Sequence, residues 1–330
     1  MECADSSFVF DIARGEMSSW EYRGQTLLKH GPVMNLWRAP TDNERSTKRK
    51  LGQGDIWQKR ILWTLGFIPR EFSCEEPADN VLVIRIKGRC SPESFDYGFD
   101  CEYIYTIYGS GEICIDLHGT PYGSQMPEML PRIGLQMQLP EEFQNAAWYG
   151  RGPNECYPDS KEAGRIGVYE KTVPELFTDY IRPQENGTRV DVRWVTLNKP
   201  DGAGLLAVGE PSLIFSAHNY SLENLTEATH RGDIEDAHEV TLNIDYAMRG
   251  LGSNSCGPPP EEPYELRPHE FVFTVHLKPF SSEESEPMEL SRRKLERVAE
   301  RPEVISTEAF HSSEAPLRQL EKKQDLFACD

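Results

Sequence analysis

The stretch VLVIRIKGRCSPESFDYGFDCEYIYTIYGSGEICIDLHG, Val81 to Gly119, sets apolar residues mostly at every second position and interrupts them at two clusters of turn formers. Period two predicts β-strands, because successive strand side chains point to opposite faces. The interruptions are too short for a crossover helix, so the strands must run antiparallel. YGSGE, Tyr108 to Glu112, reads as the hairpin turn between CEYIYTI and EICIDLH, or else as a functional loop whose glycines permit motion.

The same texture extends outward from Phe8 to Phe280, in RIGLQMQLP (132–140), EVTLNIDYAM (239–248) and FVFTVHLKPF (271–280). Turn formers punctuate the strands about every ten residues, and almost no stretch carries a sustained helical stripe. The prediction is an all-β domain over 1–280, with two large antiparallel sheets packed face to face. At Ser281 the texture changes: 281–330 is charged, serine-rich and poor in β-branched and aromatic residues. It reads as a flexible tail outside the core, with a thin apolar stripe (Met288, Leu295, Val298) that allows a helix over Glu286–Glu300.

AAWYGRGPNECYPDSKEAGRIGVY, Ala146 to Tyr169, reads as one irregular loop. Its Gly150–Pro153 run is expected to end any strand, since proline has no N–H for a ladder and glycine invites positive φ. Tyr149, Asn154, Glu155, Tyr157 and Asp159 crowd the corner that follows. Such a corner is either a ligand site or a staple of side-chain hydrogen bonds.

With 35 basic against 54 acidic residues among 330, the formal charge is −19. That surface repels phosphate backbones and anionic lipid, so neither nucleic acid nor a membrane is an expected partner. No run approaches the roughly 18 apolar residues of a membrane span, and MECADSSFVF lacks a signal-peptide pattern. A cytoplasmic location is expected. The eight cysteines show no C-x-x-C spacing, so neither a zinc knuckle nor a disulfide framework is indicated. Asn-x-Ser/Thr matches at Asn186, Asn219 and Asn224 matter only in a secreted chain.

Local motifs for catalysis are sparse. There is no G-x-S-x-G elbow, P-loop or dinucleotide fingerprint. His218, His230 and His238 lie near carboxylates in sequence, but their spacing fits no standard metal site. A retaining glycosidase needs two carboxyl groups roughly 5–5.5 Å apart, and nothing local pairs Glu155, Asp159 or Glu185 at that distance.

Five motifs taken in order carry more: LWRAPTDNE (36–44), WYGRGPNECYPDS (148–160), YIRPQENGTRVDVRW (180–194), FSAHNY (215–220) and GLGSNSCGP (250–258). Together they resemble the carboxy-terminal domain of glycoside hydrolase family 2 β-galactosidases, over about Phe8 to Phe280. The resemblance implies an antiparallel β-supersandwich of the galactose-mutarotase-like kind. It also implies that the catalytic glutamates, with the magnesium and sodium ligands, belong to a separate (β/α)8 barrel. No catalytic residue, metal or cofactor is then expected in this chain. Some family members are split into a large catalytic subunit and a small one resembling this chain, so the implied partner is a barrel chain and the implied substrate a terminal β-D-galactoside such as lactose.

By the same resemblance Arg38, Asp42, Asn43, Trp148, Glu155, Tyr157, Glu185 and Asn186 are structural, several of them polar anchors that fix loops by charge-assisted hydrogen bonds. Two places are implied contributors to a substrate pocket. One is Asn254, Ser255 and Cys256, where the best-known bacterial enzyme places a tryptophan beside the sugar and this loop is one residue shorter. The other is Gly109, Ser110 and Gly111, resembling a mobile loop near the substrate. Two other classes remain open: a stand-alone aldose mutarotase or epimerase, which needs a histidine and a carboxylate facing one sugar-sized cleft, and a carbohydrate-binding or interaction module. Fold alone does not choose among them.

Overall fold

The structure is a computed structural model that describes residues 5–46, 52–252, 259–283, 285–293, 295 and 297–298. Asn254, Ser255, Cys256 and most of 281–330 therefore lie outside the described residues. Among those described, β1 (Ser6–Asp11), β2 (Glu16–Tyr22) and β3 (Gln25–Leu28) form a small sheet. The large sheet contains β4 (His30–Asn35), β5 (Gly66–Ala78), β6 (Val81–Ser91), β7 (Gly98–Tyr108), β8 (Ile113–Tyr122), β9 (Arg132–Pro140), β10 (Asn145–Gly152), β11 (Arg165–Thr172), β12 (Arg189–Asn198), β13 (Ala203–His218), β14 (Glu239–Met248) and β15 (Phe271–Ser281). The pairings between these strands are antiparallel. The protein is all-β and antiparallel, as its periodicity requires.

The main path runs β11-β10-β12-β13-β15-β8-β7-β6-β5, and a branch leaves β13 through β14 and β9 to β4. The branch arises because β13 changes partner along its length: Ala203–Glu210 pairs with β15, and Ile214–His218 pairs with β14. One strand thereby serves both layers. Between them lies the core, fed by alternate positions such as Ile133, Leu135, Met137 and Leu139 of β9 and Leu82, Ile84 and Ile86 of β6. The layers touch where the Met34 amide donates to the Tyr103 hydroxyl at 2.9 Å and where the Tyr246 ring stacks 5.3 Å from Phe271.

The β6-β7 and β12-β13-β15 strands also bury part of their outer face, at Val83, Ile104, Trp194, Leu206 and Phe280. Four short helices are described: α1 (Gln53–Lys59), α2 (Val173–Leu176), α3 (Leu222–Glu227) and α4 (Pro287–Arg292). Leu290 of α4 packs on Trp194, Leu206 and Phe280, and Val298 packs on Val83 and Ile104. The Lys278 ammonium donates to the Leu290 and Arg293 carbonyls at 3.2 Å each, while Arg297 meets the buried Asp116 carboxylate at 2.8 Å. These first residues of the charged segment therefore cover sheet surface. No described helix is long and apolar enough to cross a membrane.

One expectation is corrected here. Ala146–Tyr169 is not one irregular loop: β10 continues through Gly150, Arg151 and Gly152 to pair with β11, and the chain turns only at Pro153. The glycines serve close approach instead of turning. A β-carbon on Gly150 would lie 2.6 Å from Val192, and one on Gly152 would lie 2.7 Å from the Tyr169 ring.

Candidate functional site

At one end of the sandwich the motif loops meet over four buried arginines: Arg38, Arg132, Arg189 and Arg249. Charge without water is costly unless paired and hydrogen-bonded, so each must be matched. The Asp42–Glu44 turn, in which Glu44 Oε2 accepts from the Thr41 amide at 3.0 Å, places the Glu44 carboxylate between two of them. Arg38 donates to Glu44 Oε1, Arg249 donates to the same oxygen at 3.0 Å, and Arg249 grips Glu265 with two further bonds at 2.6 and 2.8 Å. Burial works against the Arg38 charge, but Glu44 and Glu185 outweigh it and hold its pKa above the ordinary value.

Arg132 lies between two carboxylates, with Glu185 at 3.3 Å and Asp245 at 3.7 Å. Glu185 has the better company, accepting from Thr188 Oγ1 at 2.8 Å and from the Tyr157 hydroxyl at 3.5 Å. Among the described residues neither oxygen of Asp245 has a hydrogen-bond partner. Burial, with Glu185 opposing its ionisation, pushes the Asp245 pKa up to about 7 despite Arg132. Arg189 donates to the carbonyls of Gly187, Leu176 and Pro153, and burial lowers its pKa to about 10. Its guanidinium also lies 5.2 Å from the Trp148 ring.

Further polar side chains bond across the loops above this network. Asp42 and Gln184 exchange two bonds, at 2.9 and 3.2 Å. Glu155 accepts from the Tyr180 hydroxyl and from the Gly187 amide at 2.7 Å. Asn186 accepts from the Thr178 amide and donates to the Tyr220 hydroxyl. Trp148 is buried, its indole N–H bonded to the Arg151 carbonyl at 2.9 Å.

What these anchors converge on is a short run of backbone. Arg38 donates to the Arg249 carbonyl at 2.6 Å and the Gly250 carbonyl at 3.2 Å. Asn43 donates to the Leu251 carbonyl at 3.2 Å, and Asp159 accepts from the Gly252 amide at 2.8 Å. Three side chains from two distant motifs thus hold four consecutive residues, 249–252, at the stem of the segment that carries Asn254, Ser255 and Cys256.

Other expected groups lie elsewhere. Gly109, Ser110 and Gly111 form the β7-β8 hairpin turn, pinned by the Gly109 amide to Asn80 and by the Gly111 amide to Tyr108. Their neighbours include Ser6 and Tyr22, which take no part in the ionic network. The three histidines do not meet. His218 is buried, stacks on Tyr220 and is neutral, because burial together with Arg132 and Arg189 lowers its pKa to about 3. His230 and His238 are exposed on separate turns. A groove of about 550 Å³ beside β10 and β11, lined in part by Asn145, Glu170, Thr196, Asn198 and Phe280, has no histidine among the described residues of its wall.

Sequence reasoning missed Arg132, Asp245, Arg249 and Glu265. The available signal was a charge set among strand residues, as in NIDYAM, where Asp245 is flanked by apolar positions facing both ways.

A family description, "Beta galactosidase small chain", matches residues 2–277. The β-galactosidase of Kluyveromyces lactis is 30% identical over 281 residues, which cover 84% of this chain and 26% of that protein. The β-galactosidase of Priestia megaterium is 30% identical over 277 residues, covering 82% of this chain and 25% of that protein. The chain spans about a quarter of the length of these relatives. Among solved structures, a galactose mutarotase related enzyme from Lactobacillus acidophilus aligns with a TM-score of 0.42 at 10% identity, covering 86% of this chain and 97% of its own. An aldose epimerase homologue from C. elegans aligns at 0.39 and 11%, covering 84% and 99%.

Proposed function

Because the chain belongs to the β-galactosidase small-chain family, we propose that it is the non-catalytic part of a β-galactosidase. In this reading it completes the substrate pocket of a separate barrel chain that hydrolyses terminal β-D-galactosides. The observation that carries the reading is the grip of Arg38, Asn43 and Asp159 on residues 249–252. Fixing a loop stem with buried charge is worthwhile where the loop must be presented in one position. Ile181, fully exposed in the loop that Gln184 ties to Asp42, offers the partner an apolar contact. The nucleophile, the acid/base and the magnesium and sodium sites are assigned to the barrel chain, and the complex to the cytoplasm.

The test is reconstitution. The pure chain should fold, show β-rich circular dichroism and hydrolyse no nitrophenyl galactoside. A family barrel chain should co-purify with it and gain activity or stability in proportion to the amount added. Turnover by the pure chain, or a barrel chain indifferent to it, rejects the proposal.

A further inference from the structure

His238, which the proposed function leaves unused, stands one position beyond the β9-β14 ladder. That ladder pairs Glu239 with Pro140, so His238 comes opposite Glu141. The His238 Nδ1 lies 3.6 Å from Glu141 Oε1, and Asp236 brings a carboxylate oxygen into the same space. One donor atom from each of the three residues lies within 4.8 Å of the other two, all on the open surface.

The donors are carried on a backbone tied from several sides. Val240 and Leu139, the next ladder pair inward, are fully buried and fix the strand ends. Between the donors, the Ala237 amide donates to the Asn219 carbonyl at 2.7 Å. The Asn219 side chain exchanges bonds of 3.0 and 3.1 Å with Gln144, whose amide also donates to the Glu141 carbonyl. The His238 amide donates to Asp236 Oδ1 at 2.8 Å, leaving Oδ2 outside that bond. A chain of hydrogen bonds therefore links the backbone at Glu141 to that at Ala237, which lies between the other two donors.

We propose that Glu141, Asp236 and His238 form a surface site for a divalent transition-metal cation of the Zn²⁺ type. Two ligand atoms bound at about 2.1 Å with tetrahedral geometry stand about 3.4 Å apart, close to the imidazole-to-carboxylate spacing already present. The imidazole sets the class: a nitrogen donor suits zinc, nickel and copper, whereas magnesium prefers an all-oxygen shell. Two carboxylates and a neutral imidazole balance the ion's charge, and water fills the remaining positions on the exposed side. The ion would clip the loop 219–238 to the turn after β9.

The intact chain, with any affinity tag removed, is titrated with ZnCl₂ by calorimetry at about pH 7. One saturable equivalent is expected, unaffected by excess MgCl₂ and unchanged in Cys74→Ser, which removes an exposed thiol. His238→Ala should abolish it. Glu141→Gln and Asp236→Asn should each weaken it by at least about tenfold, since even indirect supports of a metal ligand contribute that much. Melting curves of the metal-free variants should match the parent. Absence of a saturable equivalent, or binding that survives His238→Ala, overturns the site and reduces the cluster to a surface ion pair.

Discussion

Asp159 Oδ2 accepts the Gly252 amide hydrogen at 2.8 Å, joining positions 93 apart in sequence. A β-carbon on neighbouring Gly250 would lie 2.6 Å from the Asp159 carboxyl carbon, so the two segments are in close contact. The bond explains why the corner after β10 is rich in turn formers: the corner aims a carboxylate at a loop stem. Asp159→Ala should destabilise the chain by about 1.5–3 kcal/mol, the range for a hydrogen bond to a charged group, and should speed exchange of the Gly252 amide. Asp159→Asn, which keeps an acceptor, should lose less. Urea unfolding and amide exchange check both, and an unperturbed Gly252 amide in the alanine variant would show that the bond does not hold the stem.

Glu44 is the shared partner of two buried guanidiniums. Glu44→Gln leaves Arg38 without a counter-charge at that point, and breaking such a pair costs about 3–5 kcal/mol. Glu265→Gln should cost less, because Arg249 keeps its bond to Glu44. The ordering of the two variants in urea is the measurement, and equal losses would contradict the bridging role.

Asp245 and His218 make stability depend on pH in opposite directions. The Asp245 pKa is raised to about 7 in the fold, so the folded chain holds a proton that the unfolded chain releases at lower pH. Its contribution is present below the ordinary carboxylate range and is lost as pH rises toward about 7. His218, lowered to about 3, contributes above its ordinary value, and that contribution is lost as pH falls from about 6.5 toward 3. Asp245→Asn, which mimics the protonated acid, should therefore gain on the parent as pH rises from about 4 to 7. Parallel stability curves for the two proteins across that window would refute the assignment.

The charged segment should divide into two parts. Removing 299–330 should leave the unfolding midpoint unchanged. Removing 285–330 should lower it clearly, because Leu290 and Val298 leave the sheet and Asp116 loses Arg297. Leu290→Ala alone should cost about 2 kcal/mol, the low end for truncating a buried leucine. Equal midpoints for the two truncations would show that the outer face needs no cover.

The strands were legible because half-buried strands write period two into the chain, as RIGLQMQLP does with Ile133, Leu135, Met137 and Leu139. Arg38, Glu185 and Asn186 were singled out only through the family resemblance of their motifs, and the structure buries all three. Their partners Arg132, Asp245 and Arg249 were not, since a buried charge looks like a surface one until the strands that bring it inward are paired. Gly150 and Gly152 were misread because glycine marks both turns and close approach, and only the Val192 and Tyr169 contacts distinguish the two. Helix α4 docks on the sheet through Leu290, and a helix of its length is not stable by its own propensity.

The double pairing of β13 has a consequence for how the chain is made. During synthesis β5 to β8 can zip together locally, since each neighbour follows the last. The free edge of β8 must wait for β15, more than 150 residues later, and β9 must wait for β14, about a hundred residues later. Until β13 emerges to join the layers, the nascent chain displays open, apolar edges of the kind that add to one another between molecules. Slower elongation or added chaperone over the second half of the chain should therefore raise the soluble yield, and variants that weaken β13 should be lost to aggregation before they are seen as unstable proteins.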